Sequence, residues 1–324
     1  MAARKIRQFA LETFVSHYQE QRPIDWDAQF VLPGPLEVEI GFGLGEYLIR
    51  MAQERPHSRL VGIEQDWTRV KKALNRIFEI RRKDPAADFG RNIRILQVDA
   101  RVAFERLFVP KSIARIYALF PCPWPKKGHV KHRLFARDFL RLLNSRISDA
   151  GRLQIVTDFR PYADWVLDES RETGFEVAAG VTGPRFDTKF ERKWREQGQD
   201  EFIELDFVKR AHMDVALARD EELSVHFIER FDPDHFAFED VVGETSVIGK
   251  EFLYDKVRGR GVVHLIIAEK SATQHLWVTI SKAGAQWCVA KAEGHTVLPT
   301  QGVAWALQLV CEAAARSAGQ AEKT

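Results

Sequence analysis

The first stretch with chemical potential is Glu39-Ile40-Gly41-Phe42-Gly43-Leu44-Gly45, where glycines alternate directly after a short apolar run, Leu36 to Ile40. Glycine lets a backbone turn sharply and approach a ligand with no Cβ in the way, and a helix that starts there offers N–H groups to it. The dinucleotide fingerprint would be G-x-G-x-x-G. Here the third glycine comes one residue early, which favours another nucleoside ligand over NAD. Two more carboxylates are expected at neighbouring strand ends: Glu64, 23 residues after Gly41, and Asp99 in Leu96-Gln97-Val98-Asp99-Ala100. Glu64 is placed to accept both hydroxyls of a ribose, Asp99 to contact a purine edge, and Glu39 to hold an amino group. A rim of three acids suits a ligand with a positive centre better than a pyrophosphate. S-adenosylmethionine combines a ribose, an adenine, an ammonium group and a sulfonium. Taken singly, each acid could equally be a solvated strand end, and the glycines a tight turn with no ligand.

The second stretch is Phe120-Pro121-Cys122-Pro123-Trp124-Pro125-Lys126-Lys127-Gly128-His129-Val130-Lys131-His132-Arg133. Three prolines in five residues stiffen it and remove backbone donors. Trp124 could stack on a base or simply pack. Lys126, Lys127, Lys131 and Arg133, with His129 and His132 between them, suit a phosphate backbone entering a cleft. A solvated start to the next helix is the plain alternative. The two histidines suggest no metal, because no carboxylate or thiol nearby completes a ligand set. Two smaller candidates follow: Thr157-Asp158 after an apolar run, and Thr188-Lys189-Phe190-Glu191-Arg192-Lys193 in a basic segment. The latter reads either as a grip on substrate or as a charged surface helix.

The elements that must position these residues alternate. Strands are expected at Leu36–Ile40, Arg59–Glu64, Asn92–Val98, Ala114–Phe120, Leu153–Thr157, Phe175–Val181 and Glu201–Val208. Helices are expected over Leu44–Gln53, Trp67–Arg82 with Asp66 as cap, Leu134–Ile147 and Tyr162–Thr173. Seven strands with helices between the first five predict an α/β fold around a mainly parallel sheet, the last strand antiparallel, with helices on both faces and ligand sites at the carboxyl ends. That is the architecture of the large class of S-adenosylmethionine-dependent methyltransferases. From about residue 213 the pattern changes. Strand-like runs at Leu223–Glu229, Ser246–Tyr254, Val262–Ala268, His275–Ile280 and Gln286–Ala290 precede a helix over Gln301–Arg316, and Ala318–Thr324 should fray. The division is therefore 1–212 and a smaller α+β unit, 213–324, with a soft boundary near Ala211–Ala218.

Composition sets the outer limits. The chain has 324 residues, 45% hydrophobic and 29% charged, with 22 Phe and 8 Trp to bury, so an ordered protein of about two domains is expected. No run of ~18 apolar residues suggests a membrane span, and the basic start Met1 to Arg7 leads into no secretory core. Cys122, Cys288 and Cys311 are too few and too far apart for a disulfide framework or a zinc site, which points to a reducing, cytoplasmic setting. Residues 1–212 balance to +7 and residues 213–324 to −5. A basic front fits a polyanion. The acidic back is a poor RNA binder by itself, so a protein partner, or packing on the front unit, is the expectation for it.

The order Glu-Ile-Gly-Phe-Gly, Gly-Ile-Glu, Val-Asp-Ala, Phe-Pro-x-Pro-Trp-Pro-Lys-Lys, Thr-Asp and Thr-Lys-Phe-Glu resembles the bacterial tRNA (guanine-N7)-methyltransferase family over residues 30–210. The resemblance implies a monomeric or dimeric enzyme that methylates the guanosine of the tRNA variable loop, position 46 in tRNA. It implies Glu39, Glu64 and Asp99 as cofactor contacts beside Gly41, Gly43 and Gly45. Lys126, Asp158 and Thr188 to Glu191 are then substrate contacts, and Trp124 with the segment from Lys127 to Arg133 lies on RNA. One departure bears on mechanism: Cys122 stands where the family has Asp between the two prolines. A neutral thiol is a poor acceptor and does not replace a carboxylate. Three readings stay open from the sequence: an N7 methyltransferase, weakened or retargeted; a cytosine-C5 methyltransferase with Cys122 as nucleophile, its thiolate favoured by Lys126 and Lys127; and a tRNA-binding homologue without catalysis.

Overall fold

The computed structural model describes residues 9–84 and 89–321. The basic start Met1 to Arg7 and the last three residues, 322–324, lie outside them. The chain divides into two compact units between Ala218 and Arg219.

The first unit runs β1 (Phe14–Val15), α1 (Trp26–Gln29), β2 (Leu36–Ile40), α2 (Glu46–Glu54), β3 (Arg59–Glu64), α3 (Trp67–Lys83), β4 (Ile93–Gln97) and α4 (Ala100–Arg106). It continues through β5 (Ile113–Leu119), α5 (Arg137–Arg146), β6 (Ile147–Thr157), α6 (Arg160–Glu169), β7 (Phe175–Thr182), α7 (Lys189–Glu196) and β8 (Phe202–Lys209). The strands lie in the order β1-β4-β3-β2-β5-β6-β8-β7. Pairs among β1 to β6 are parallel, and β8 is antiparallel to both β6 and β7. The mainly parallel α/β sheet with an antiparallel last strand is thus as expected, with β1 added as a two-residue edge. The strand order reverses at β2, which has β3 on one side and β5 on the other. The crevice at the carboxyl ends of β2 and β5 is the topological switch point, where open α/β sheets bind ligands.

All five residues of β2 are buried, including Glu37 and Glu39. A buried carboxylate is costly unless paired and hydrogen-bonded. Glu37 meets that need: it accepts from Arg55 at 2.8 Å, Tyr117 at 2.8 Å and Ser58 at 2.8 Å. Leu48, Met51, Leu74 and Ile77 of α2 and α3 pack with Leu60, Ile93 and Ile95 of the sheet. Gly62 permits that approach, since a Cβ there would stand 2.5 Å from Leu48 and 2.7 Å from Phe42. Asp66 caps α3 by accepting from the Thr68 N–H at 2.7 Å, and Trp67, the first residue of that helix, is 40% exposed. Helices do not cover both faces throughout. Over β5 to β8 one face is an open groove of about 560 Å³ lined by residues such as Arg115, Arg152, Gln154 and Glu204.

The second unit contains β9 (His226–Ile228), β10 (Ser246–Asp255), β11 (Arg260–Ala268), β12 (Thr273–Ala283), β13 (Gln286–Lys291) and α8 (Gln301–Ala321). Its sheet is antiparallel, in the order β10-β11-β12-β13-β9. Strict alternation places Val263, Leu265, Leu276 and Val278 against Val303, Leu307, Val310 and Ala314 of α8. The helix continues to Ala321, so Ala318 onward is helical rather than frayed up to that point.

Candidate functional site

Gly41, Gly43 and Gly45 have φ of 68°, 59° and 74°. This is the left-handed region, where a side chain costs roughly 1–2 kcal/mol. The Gly41 N–H donates to Ile63 O at 2.8 Å, and Gly45 forms the N-cap of α2. Nothing lies within 4 Å of where a Gly41 Cβ would be. The loop is therefore tight in backbone and open in side-chain space at the end of β2.

Three acids surround it, and each is held differently. Glu64 ends β3 and is buried; it accepts from the Gly43 N–H at 3.0 Å and the Asp66 N–H at 3.1 Å, with Arg69 at 3.4 Å. It shapes the glycine loop directly. Asp99 caps α4 through the Arg101 N–H at 2.7 Å and also accepts from Gln65. Glu39 is different. It is buried, and its Oε2 has no hydrogen-bond partner. Burial pushes its carboxyl up to about 8, with Glu64 adding to the rise and Arg50 and the Leu48 backbone opposing it. A buried acceptor left unpaired beside a glycine cradle fits an incoming cation. The residues present thus suit the ammonium end of S-adenosylmethionine.

The second loop leaves β5, across the switch point. Phe120 and Trp124 both have positive φ, 53° and 42°, unusual for bulky residues and a mark of strained sites. The Phe120 N–H donates to Val156 O at 2.7 Å. Arg133 is the clamp. It is buried, donates from Nε to Pro123 O at 2.9 Å, and lies over the Tyr162 and Trp165 rings at 5.6 Å and 5.0 Å. Its carbonyl accepts from Arg101 at 2.9 Å, tying the loop to α4. The expectation that Arg133 faces RNA is corrected: its guanidinium is turned inward. Trp124 packs against His129 and His132 at 5.6 Å and 5.3 Å. Lys126, Lys127, Lys131, His129, His132 and Cys122 are exposed. Among the described residues no group of His, Cys, Asp and Glu is arranged for a metal ion.

Asp158 follows β6, half-buried, with burial raising its carboxyl and Lys193 opposing. The segment Thr188 to Glu191 splits into two kinds of residue. Thr188 caps α7 by accepting from the Glu191 N–H at 3.2 Å. Glu191 is buried and accepts from the Arg185 and Phe186 N–H groups at 2.7 Å and 3.0 Å. These two hold the turn, Thr188 by capping the helix and Glu191 by fixing the backbone of Arg185 and Phe186 just before it. Lys189 and Phe190 are the exposed pair.

The residue sequence reading missed is Glu46, the first of α2. Its carboxylate accepts from the Lys189 N–H at 2.6 Å and pairs with Arg192. Arg50, one turn on, donates to Arg185 O at 3.0 Å. The helix that starts at the glycine loop therefore also carries the segment bearing Lys189 and Phe190. No local signal announces a contact across 143 residues.

The Methyltransf_4 family model, a methyltransferase family, matches residues 33–203. The chain is 42% identical over 181 residues to a tRNA (guanine-N(7)-)-methyltransferase of Chlorobium phaeobacteroides, covering 56% of this chain and 85% of that one. It is 28% identical over 298 residues to the enzyme of the same name from Thermotoga maritima, covering 90% of this chain and 92% of the relative. That second similarity extends past residue 213, into the region the motifs leave outside the resemblance. Among solved structures, the 16S rRNA methyltransferase KamB superposes with a TM-score of 0.44 at 14% identity, over 58% of this chain and 93% of that one.

Proposed function

Because the chain belongs to the tRNA (guanine-N7)-methyltransferase family, we propose that its first unit methylates N7 of the guanosine in the tRNA variable loop. It is an S-adenosylmethionine-dependent enzyme. The observation that carries the assignment of the cofactor site is the partnerless buried Oε2 of Glu39 beside three left-handed glycines at the switch point.

Bound S-adenosylmethionine supplies an electrophilic methyl carbon. Glu39 accepts its ammonium group, Gly41 and Gly43 allow close backbone approach, Glu64 receives the ribose hydroxyls and Asp99 the purine edge. The carboxylate of Glu64 has lone pairs left beyond the Gly43 and Asp66 contacts. Guanine N7 presents a lone pair and no proton, so no side chain has to act as a base. Catalysis then rests on proximity and alignment, worth up to ~7–11 kcal/mol. Asp158 is the acceptor for the guanine donor edge, a task the Cys122 thiol performs poorly. Lys189 and Phe190 flank the base, and Lys126, Lys127 and Lys131 meet phosphates, with Trp124, His129 and His132 beside them. A reducing cytoplasm is the setting we assign to it.

Mass spectrometry of nucleosides from tRNA incubated with the protein and labelled cofactor tests the reading. Label in 7-methylguanosine is expected. Label in 5-methylcytosine that disappears in Cys122→Ala would replace it with thiol catalysis, and binding of tRNA with no label would leave a non-catalytic protein.

A further inference from the structure

We infer that the outer face of the second unit's sheet binds RNA, stacking an unpaired nucleotide of the tRNA on Trp277. This rests on the reading that tRNA is the substrate. The α8 helix covers one face of that sheet. The opposite face carries rings. His264 on β11 is paired directly across from Trp277 on β12. Their rings are stacked, with centroids 4.2 Å apart and planes within 6°. His275 stacks on His264 at 5.1 Å and 21°, and the two imidazoles share a hydrogen bond of 2.9 Å. His264 is thus the middle ring of a row of three. On the β13 side of Trp277 the neighbouring side chains are small: Ala292, whose N–H donates to Trp277 O at 2.7 Å, and Ala290, which pairs with Thr279. Phe227, 56% exposed, lies across from Cys288 farther along the sheet.

Charge selects the occupant. The second unit is acidic overall, but its charges segregate. Residues 219–245 hold nine Asp/Glu and two Lys/Arg, whereas residues 246–291, which form the four-stranded meander, hold seven Lys/Arg and three Asp/Glu. Lys250 and Arg260 are exposed and make no ion pair among the described residues, although Glu251 lies across from His264 and Asp255 across from Arg260. A base stacks on any aromatic face and its phosphate seeks a cation; rings and cations on one sheet face are the pattern of single-strand binders. A protein partner would be met by apolar shape, and its acidic segments by cations alone, with no use for a stacked row. The overall balance of −5 over residues 213–324 averages over this segregation.

The test uses the full chain with tRNA. Ultraviolet crosslinking of the wild-type protein should join an unpaired nucleotide to the peptide containing Trp277. Trp277→Ala should weaken tRNA binding about tenfold and raise KM for tRNA. Trp277→Tyr should restore most of the affinity, and S-adenosylmethionine affinity should hold in both. Lys250→Ala with Arg260→Ala should shallow the salt dependence of binding. Wild-type protein that methylates tRNA, with no crosslink in residues 246–291 and unchanged binding in Trp277→Ala, overturns the inference and leaves the proposed function standing. Self-association of the chain abolished by Trp277→Ala would assign the face to a second copy and also overturn it. Wild-type protein that neither binds nor methylates tRNA removes the proposed function itself.

Discussion

The two sheets carry anomalies of opposite sign. In the first unit the informative residue is a carboxylate buried without a partner, Glu39. In the second it is a row of rings that the fold leaves outside its core, around Trp277. Both depart from the rule that polar groups face water and large apolar groups avoid it, and departures are where ligands belong. The contrast follows from sheet type. Parallel strands buried on both faces leave no neutral place for an acid, so Glu37 is fully paired, and Glu39 stands out as the one whose Oε2 has no partner. An antiparallel sheet with a helix on one face has a free face, and there a ring costs little until something stacks on it.

The largest effect should come from breaking the buried side of this comparison. Glu39→Gln removes a charge-assisted contact, so S-adenosylmethionine affinity should fall roughly 10–150-fold by calorimetry. The same substitution should show a stability signature. The folded carboxyl titrates near 8, above its ordinary value of 4.5. The stability tied to its proton is full below 4.5 and is lost as pH rises through 8. Glu39→Gln should therefore melt higher than wild type at pH 8, with the gap closing toward pH 5; an equal gap at both would contradict the buried titration.

A second cut separates cofactor from substrate. Glu46→Ala frees the N-terminus of α7 from α2, so kcat/KM for tRNA should drop about tenfold, the scale of one or two lost charge-assisted hydrogen bonds. S-adenosylmethionine affinity should stay put. Equal losses in both would show that Glu46 acts on the glycine loop instead. Smaller again is the contrast within the β5 loop. Arg133→Ala should lower stability by about 1–3 kcal/mol in urea unfolding, while Lys126→Ala with Lys131→Ala leaves the melt alone and flattens the salt dependence of tRNA binding. The smallest change expected is a few-fold gain in N7 methylation for Cys122→Asp; a loss would mean that the loop is built around the thiol.

Much of the fold was legible because its strands are short apolar runs ended by glycine or proline. β2 and β3 match their expected residues one for one. β1 and α1, two and four residues long, have no period to detect. The start of α5 is expected at Leu134 but falls at Arg137, because after the 3-10 turn Lys127–His132 the chain is extended at Arg133 and again at Ala136, the N-cap. Site residues on strand ends could be read from spacing. Arg133 could not be told from its lysine neighbours, since a run of cations looks uniform until the Tyr162 and Trp165 rings come to meet one of them. Glu46 was invisible for a different reason: its partners are set by the return of the chain after β7.

Glu39 has one more consequence. Near neutrality its carboxyl holds a proton, and a bound ammonium would favour the ionised form. Loading the methyl donor should therefore expel hydrogen ion into the medium, so that the apparent binding heat at pH 7 depends on which buffer collects it. In Glu39→Gln that dependence should vanish. The donor site would then sense acidity through one side chain that solvent scarcely reaches.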